Sequence, residues 1–348
     1  MSGKGTILLT GANGGIGLAV VRKLVSQPDL AAYHGLYAVR DASSAERLRS
    51  VLGGPTAGPH PHDILSLDLT RLDDVRKVAA SINARVAAGE IPAIRVLILN
   101  AAYLEFDQQT WTPEGFDTSF AASYLGHWLL TLLLLQSMDK DRGRILVIGS
   151  SAHDTQDSRN NAGAQYVEKK WQTIFHDSTE PIAKGTWSST KEDPSFRGGY
   201  RRYGAAKLCQ VMMIPELQRR IDADPVLSGI SVLGIDPGST PTYLVRRGDW
   251  RITGLWTYIM PWLVVILTWL WPNGTNRTVT KSARDIITAA FDSNPTLGER
   301  PKALYLNGEE LREMAAEARD PRKREILWKD TVKYTGLDKN ETILANWA

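Results

Sequence analysis

A chain of 348 residues, 43% hydrophobic and 23% charged, can bury a large core, and a formal charge of +3 is too mild for a dedicated nucleic-acid binder. The single cysteine, Cys209, excludes an intrachain disulfide and a cysteine-based zinc site, and it suits a reducing, cytoplasmic setting. The apolar run Thr6-Ile7-Leu8-Leu9-Thr10 follows Met1 so closely that no leader is expected, and the sequons at Asn273, Asn276 and Asn340 are expected to stay unmodified.

In chain order the pattern predicts a strand at 6–10, a helix at 15–26, a strand at 35–39, a helix at 43–52, a strand at 63–68, a helix at 71–88 and a strand at 94–99. A helix at 113–137, a strand at 144–149, a helix at 200–222 and a strand at 230–235 continue the alternation, followed by a helix near 279–292, a strand near 303–306 and helical pieces from 309. Alternating strands and helices predict an α/β fold, a doubly wound parallel sheet in a single domain spanning 1–348. Two stretches break the rhythm. Residues 152–199 form a long polar insertion carrying Trp171, Phe175 and Trp187, expected to cover a functional site. Within 239–278 lies a charge-free run, 252–272, and 309–348 reads as a C-terminal helical extension. The patch around His60, His62 and Asp63 carries ligand-type residues, but its Gly and Pro content reads as a surface loop.

Thr10-Gly11-Ala12-Asn13-Gly14-Gly15-Ile16-Gly17 stands between the first strand and the first helix. Gly11 permits a tight turn, Gly15 lets the backbone approach a pyrophosphate, and Gly17 lets helix and strand pack closely, with the helix N-terminus favouring anions. This is the setting of a dinucleotide-binding Rossmann fold. The second strand ends at Arg40-Asp41, where Arg40 can pair with a 2′-phosphate and favours NADPH/NADP+ over NADH; the alternative is a solvated Arg40 with Asp41 on a ribose hydroxyl. Asp68, followed by Leu69, reads either as an acceptor for the adenine amine or as a helix N-cap.

A carbonyl that accepts hydride develops alkoxide charge, so its site needs a proton donor and a second donor to steady the oxygen. Tyr203 and Ser150 suit those roles. Lys207, four residues after Tyr203 on a predicted helix, shares its face and is expected to depress the phenol pKa. Ser150 follows the strand 144–149, at the edge where open α/β sheets bind ligands, with Ser151 as the rival.

Thr10-Gly11-x-x-x-Gly15-x-Gly17, Asn100-Ala101-Ala102, Ser150 and Tyr203-Gly204-Ala205-Ala206-Lys207 together resemble the short-chain dehydrogenases/reductases over residues 5–245. Arg201-Arg202-Tyr203, the insertion and the apolar run resemble fungal secondary-metabolism members of that family. The resemblance implies an oxidoreductase in which Lys207 also binds the nicotinamide ribose. It further implies that Asn100, Ala101 and Ala102 line the cofactor, and that Pro237-Gly238 with Thr242, or Thr240, contacts the nicotinamide amide. It implies a homodimer joined through the helices near 113–137 and 200–222. The family carries Asn where Ser123 stands, holding a water that links the lysine to solvent, so the proton relay is altered here. His127 on the same helix reads as a packing residue, with no partner in the motif.

The run 252–272 reads as a substrate lid or core segment, as a peripheral membrane contact through its tryptophans, or as a spanning helix, in that order. Its place between the Pro-Gly strand end and the next core helix disfavours spanning. An apolar cover implies a bulky hydrophobic substrate, and with the family resemblance Arg40, as a sign of NADPH, favours a ketoreductase reaction, alcohol oxidation being its reverse. A cofactor-binding scaffold or sensor, and a redox-neutral isomerase or cyclase, are the competing readings.

Overall fold

The computed structural model describes residues 4–54, 58–240, 260–292 and 294–348. Strands β1 (Thr6–Thr10), β2 (His34–Val39), β3 (His62–Ser66), β4 (Ile94–Leu99), β5 (Arg144–Ile148), β6 (Ser231–Asp236), β7 (Tyr305–Asn307) and β8 (Glu310–Leu311) form one sheet in the order β3-β2-β1-β4-β5-β6-β7-β8. All neighbours run parallel except β8, which pairs antiparallel with β7. Strand order reverses between β1 and β4, which opens a crevice at their carboxyl ends, the binding position of doubly wound sheets. Every residue of β1, β5 and β6 is buried, as expected of strands covered on both faces.

On one face lie α1 (Gly15–Ser26), α2 (Glu46–Leu52) and α7 (Val279–Phe291), sharing a core with Ile7, Leu9, Ile98, Leu146 and Ile235. The opposite face carries α3 (Leu72–Ala87), α4 (Thr118–Ser137), α5 (Phe196–Asp222) and α8 (Pro321–Thr335), around Leu8, Leu97, Ile145 and Val232. Helix α4 starts at 118 rather than 113 because Asp117 caps it, accepting the N–H groups of Ser119 and Phe120. It is long and apolar enough to cross a membrane, but 94% of its apolar window is buried inside the fold. Helix α5 starts four residues before its predicted position, at a Ser195 cap.

The C-terminal extension closes over α4 and α5. Trp328 packs edge-on against Trp128 with ring centroids 5.0 Å apart, the Tyr124 hydroxyl bonds Thr331 at 2.8 Å, and the Arg220 guanidinium lies 4.4 Å from the Trp328 ring. The faces expected to join a partner subunit are here covered partly by the chain's own α8.

The insertion is anchored rather than loose. Arg201, on α5, stacks on Trp171 at 4.1 Å and donates to the Gln165 carbonyl, the Ser188 hydroxyl and Asp193. Arg202 donates to the Ser188 and Gln108 carbonyls. Glu317 accepts the N–H groups of Ile174 and Phe175, tying the insertion to the C-terminal extension.

Three local expectations change. The histidine patch is not a loop throughout: β3 begins at His62, His60 bonds the Tyr37 hydroxyl at 2.6 Å, and Asp63 bonds His34 at 2.8 Å and Arg85 at 2.8 Å. Asp68 does not cap α3, whose N-cap is Arg71; its Oδ1 instead accepts Thr70 N and Oγ1, forming a tight turn. Helix α6 (Met260–Leu270) is not core: Val264 is buried, whereas Trp262 and Trp269 are 81% and 80% exposed, with Val265 and Ile266 also exposed. The eleven described residues of α6 reach about 16 Å, about half of a bilayer's hydrocarbon thickness, and residues 252–259 of the apolar run lie outside the described residues.

Candidate active site

The glycine turn is built as a cradle. Gly11 has φ +68°, in the left-handed region that glycine tolerates, and a side chain there would meet Ala101 Cα at 3.0 Å. A Cβ on Gly17 would stand 2.3 Å from the Gly11 carbonyl oxygen, so α1 can pass this close to the turn only because residue 17 is glycine. Asn100 locks the turn from β4: its Nδ2 donates to the Thr10 and Gly11 carbonyls at 2.8 and 3.3 Å. Thr10 Oγ1 accepts Asn100 N at 2.9 Å and Ala101 N at 3.0 Å.

These features fit a nicotinamide dinucleotide. Helix α1 begins after Gly14 with no side-chain cap and no acidic residue in its first turn, which leaves its N-terminal N–H groups for an anion. Gly15 and Ile16 open that helix, half-buried, and Asn13 on the turn has a buried Oδ1 without a partner while its Nδ2 reaches the Ser44 carbonyl at 3.3 Å. Arg40 is exposed at the end of β2, its guanidinium 5.7 Å from the Tyr103 ring. Asp41 is engaged elsewhere, accepting from Ser43 N and Oγ at 2.9 and 2.6 Å and from Ser44 Oγ at 2.7 Å, contacts that hold its carboxyl below the usual range. Leu69 is buried, and its carbonyl oxygen is where a Cβ on Gly126 would fall, so α4 packs tightly here.

Beyond the crevice the reacting candidates converge. Ser150 extends from β5 and caps the short turn Ser151–His153, its Oγ accepting Ala152 N at 3.2 Å. Ser150 stands beside the Tyr203 phenol and acts to lower its pKa, while the Tyr200 hydroxyl donates to Asn160 Oδ1 at 3.0 Å. Tyr203 is 7% exposed and packs with Leu104, Phe106 and Ala152, with Ala102 and Tyr200 at the margin.

Lys207 lies one turn on, its ammonium 5.7 Å from the centre of the Tyr203 ring. Here the expected electrostatics change. Burial pushes the phenol above its usual pKa, countered in part by the Ser150 hydrogen bond, and Lys207 does not reverse this because its ammonium turns to the Ile148 carbonyl and to Gln210. Burial lowers Lys207 itself to about 7.

Ser123 sits in a π-helical turn of α4 (Ala121–Leu125), fully buried, its Oγ accepting Tyr103 N at 3.2 Å. Its neighbour His127 does have partners, contrary to expectation: Thr10 Oγ1 at 2.9 Å, the Ser123 carbonyl at 3.1 Å and Gln210 Nε2 at 3.3 Å. Neither His127 nor Gln210 stands out by sequence as a site residue; the signal available was Gln210 at three residues from Lys207, on the same helical face.

At the end of β6, Gly238 has φ +73° and its N–H donates to Asp236 Oδ1 at 2.9 Å, while Pro237 O accepts the Ser282 hydroxyl at 2.6 Å. Arg159, from the insertion, pairs with Asp236 at 2.8 Å and with Asp157 at 2.7 Å, so the insertion braces this strand end. Thr240 is buried; Thr242 lies outside the described residues. Among the described residues, no group of three or more His, Cys, Asp or Glu side chains could hold a metal.

The family model for short chain dehydrogenases matches residues 5–169. The short-chain dehydrogenase iccH of Talaromyces variabilis is 47% identical over the whole of both chains. In fold, the chain is similar to an NADPH-bound carbonyl reductase from chicken fatty liver, at a TM-score of 0.55 and 17% identity, covering 88% of this chain and 98% of that one. It is equally similar to the angucycline C-6 ketoreductase LanV with bound NADP, at a TM-score of 0.55 and 16% identity, covering 88% and 95%. The doubly wound sheet, the glycine turn and the 47% identity lead to one conclusion: this chain belongs to the short-chain dehydrogenase/reductase family of oxidoreductases.

Proposed function

We propose that the chain reduces a ketone on a bulky, apolar metabolite with NADPH, alcohol oxidation being the reverse reaction. The observation that carries the reading is the pairing of Ser150 with Tyr203 beside buried Lys207, at the carboxyl edge of the sheet and next to the glycine turn. When bound, the cofactor supplies the hydride. Tyr203 gives its proton to the carbonyl oxygen, Ser150 steadies that oxygen as charge grows on it, and Lys207 places positive charge beneath the ring. The phenol is protonated at neutral pH, as a proton donor in reduction must be. The apolar wall of Leu104, Phe106 and Ala102 favours a hydrophobic substrate over a polar one. Two structural neighbours described with NADPH or NADP, one of them a ketoreductase, lend the cofactor and substrate class some support.

Arg40 tests the cofactor. Its guanidinium stands at the end of β2, where a ribose 2′-phosphate would be recognised, while Asp41 is occupied by its own serines. Arg40→Glu is expected to weaken NADPH binding by about 100-fold or more and to change NADH affinity little, since it removes a charge-assisted contact and adds a repulsive one. Titration of both cofactors by tryptophan fluorescence measures the ratio. A wild-type chain that binds NADH more tightly would remove the NADPH assignment.

Helix α6 carries a second part of the reading: a peripheral contact with an intracellular membrane, made from the cytoplasmic side. Trp262, Trp269 and Trp271 are exposed together with Leu263, Val265, Ile266 and Leu270, a composition suited to the lipid–water boundary. The wild-type chain is expected to co-sediment with phospholipid vesicles, and Trp262→Ser with Trp269→Ser to release it at least tenfold. Equal sedimentation of the two would instead leave α6 to the substrate lid.

A further inference from the structure

Several buried polar side chains beyond Ser150 and Tyr203 form one continuous path. Lys207 donates to the Ile148 carbonyl at 2.7 Å and to Gln210 Oε1 at 2.8 Å. Gln210 Nε2 faces His127 Nδ1 at 3.3 Å, and His127 Nε2 meets Thr10 Oγ1 at 2.9 Å. Thr10 Oγ1 in turn receives the N–H groups of Asn100 and Ala101 at the root of the glycine turn. Lys207, Gln210, His127 and Thr10 are each at most 1% exposed. The Ser123 hydroxyl is taken by Tyr103 N.

While Lys207 is charged, donor and acceptor chemistry sets one direction along this path. An ammonium only donates, so while Lys207 is charged Gln210 presents its oxygen to it and its NH2 group to His127. Nδ1 is then the acceptor, and the single proton of the neutral ring sits on Nε2. Burial, which lowers His127 to about 3, keeps the ring neutral. A second arrangement is built into the same atoms. The Ser123 carbonyl lies 3.1 Å from Nδ1 and can take an Nδ1 proton, leaving Nε2 to accept the Thr10 hydroxyl. That arrangement suits Thr10, whose two lone pairs already face Asn100 and Ala101. It requires Gln210 to turn its oxygen towards His127 and its amide towards Lys207, which an uncharged amine with a lone pair accommodates and an ammonium does not.

We propose that Gln210 and His127 are positioning residues that hold the Lys207 ammonium and couple its charge, through the His127 tautomer, to Thr10 and the cofactor turn. The proposal rests on the Tyr203–Lys207 reading above. The titratable groups facing Lys207 are Tyr203 on its own helix, Asp236 at the end of β6, whose charge favours the ammonium, and neutral His127 on α4. Lowered to about 7, Lys207 can hold either charge near neutrality.

The test uses the full chain with NADPH and phenanthrenequinone, a flat apolar dicarbonyl, and reads the alkaline limb of the pH profile of kcat. Gln210→Glu places a carboxylate against the ammonium and should move that limb up by about one pH unit or more. Gln210→Met removes the acceptor and should move it down. Opposite shifts are not produced by a loss of packing alone; limbs that stay in place, or move together, overturn the proposal. Tyr203→Phe run alongside separates the two failures, since full turnover in that variant sinks the underlying reading instead. Long-range nitrogen–proton NMR on the wild-type chain with labelled histidine reads the tautomer without any variant or turnover. The proton is expected on Nε2 at acid pH and on Nδ1 once Lys207 has lost its charge, and a proton on Nδ1 at every pH overturns the proposal.

Discussion

Replacing Tyr203 by Phe is expected to lower reductive turnover by roughly 100- to 10,000-fold, the range that general-acid catalysis supplies. The ring stays in place among Leu104, Phe106 and Ala152, so packing is preserved and only the hydroxyl is lost. The Ser150 hydroxyl loses one partner but still accepts Ala152 N, which limits the stability cost to about 1 kcal/mol. NADPH affinity should change less than threefold, because the glycine turn, Asn100 and Lys207 are untouched. The signature is therefore a fall in kcat with cofactor binding intact. Turnover within a few-fold of wild type on the same ketone would shift weight to the scaffold reading, in which the cofactor is bound without Tyr203-centred chemistry.

The second large effect belongs to the turn. Gly17→Val would drive a Cβ to 2.3 Å from the Gly11 carbonyl oxygen, a backbone atom with little room to move, since Gly11 is itself hemmed in by Ala101 and Asn100. Either α1 shifts away from β1 and the phosphate-facing N–H groups move with it, or the strain is borne by the fold at about 1–3 kcal/mol. NADPH affinity should fall by at least about 100-fold, or the melting temperature should drop measurably, as read by fluorescence titration and thermal unfolding. Gly53→Ala, whose added Cβ meets nothing closer than 3.5 Å, is the matched control and should do neither. A Gly17→Val chain with unaltered melting and NADPH affinity would contradict the close helix–turn packing.

What the sequence reveals and what it hides follow from the range of the interactions involved. Buried parallel strands such as Arg144–Ile148 and Ser231–Asp236 announce themselves as apolar runs, and the glycine turn is legible because its glycines fall within eight residues between a strand and a helix, although Asn100, which locks it, lies far away in sequence. Ser150, Tyr203 and Lys207 are legible as candidates because strand end and helix spacing place them. The helix starts are less so: α4 and α5 begin where Asp117 and Ser195 cap them, a local choice among several polar residues. Partners distant in sequence are not legible at all. His127 reads as a packing residue until Thr10 and Gln210, 117 and 83 positions away, are brought to its two nitrogens. The lowered phenol expected from Lys207 depends on where the ammonium points, which the Ile148 carbonyl and Gln210 decide. Likewise Arg159 reaches Asp236 from the insertion, a contact that turns an apparent cover into a brace for the Pro237-Gly238 corner.

The apolar helix α6 and the reductase chemistry meet in the choice of substrate. The tryptophan and aliphatic side chains exposed on α6 fit the apolar, lipid-partitioning substrate proposed above. The isomerase or cyclase alternative uses the same pocket but leaves the substrate's hydrogen count unchanged. The most direct measurement is therefore mass spectrometry of an apolar metabolite extract of the source organism, incubated with the chain and NADPH carrying deuterium at the transferable position. Reduction through Tyr203 is expected to give one product heavier than its precursor by one deuterium and one hydrogen, absent when Tyr203→Phe replaces the wild type. A product of unchanged mass, or one formed equally well by Tyr203→Phe, would contradict it.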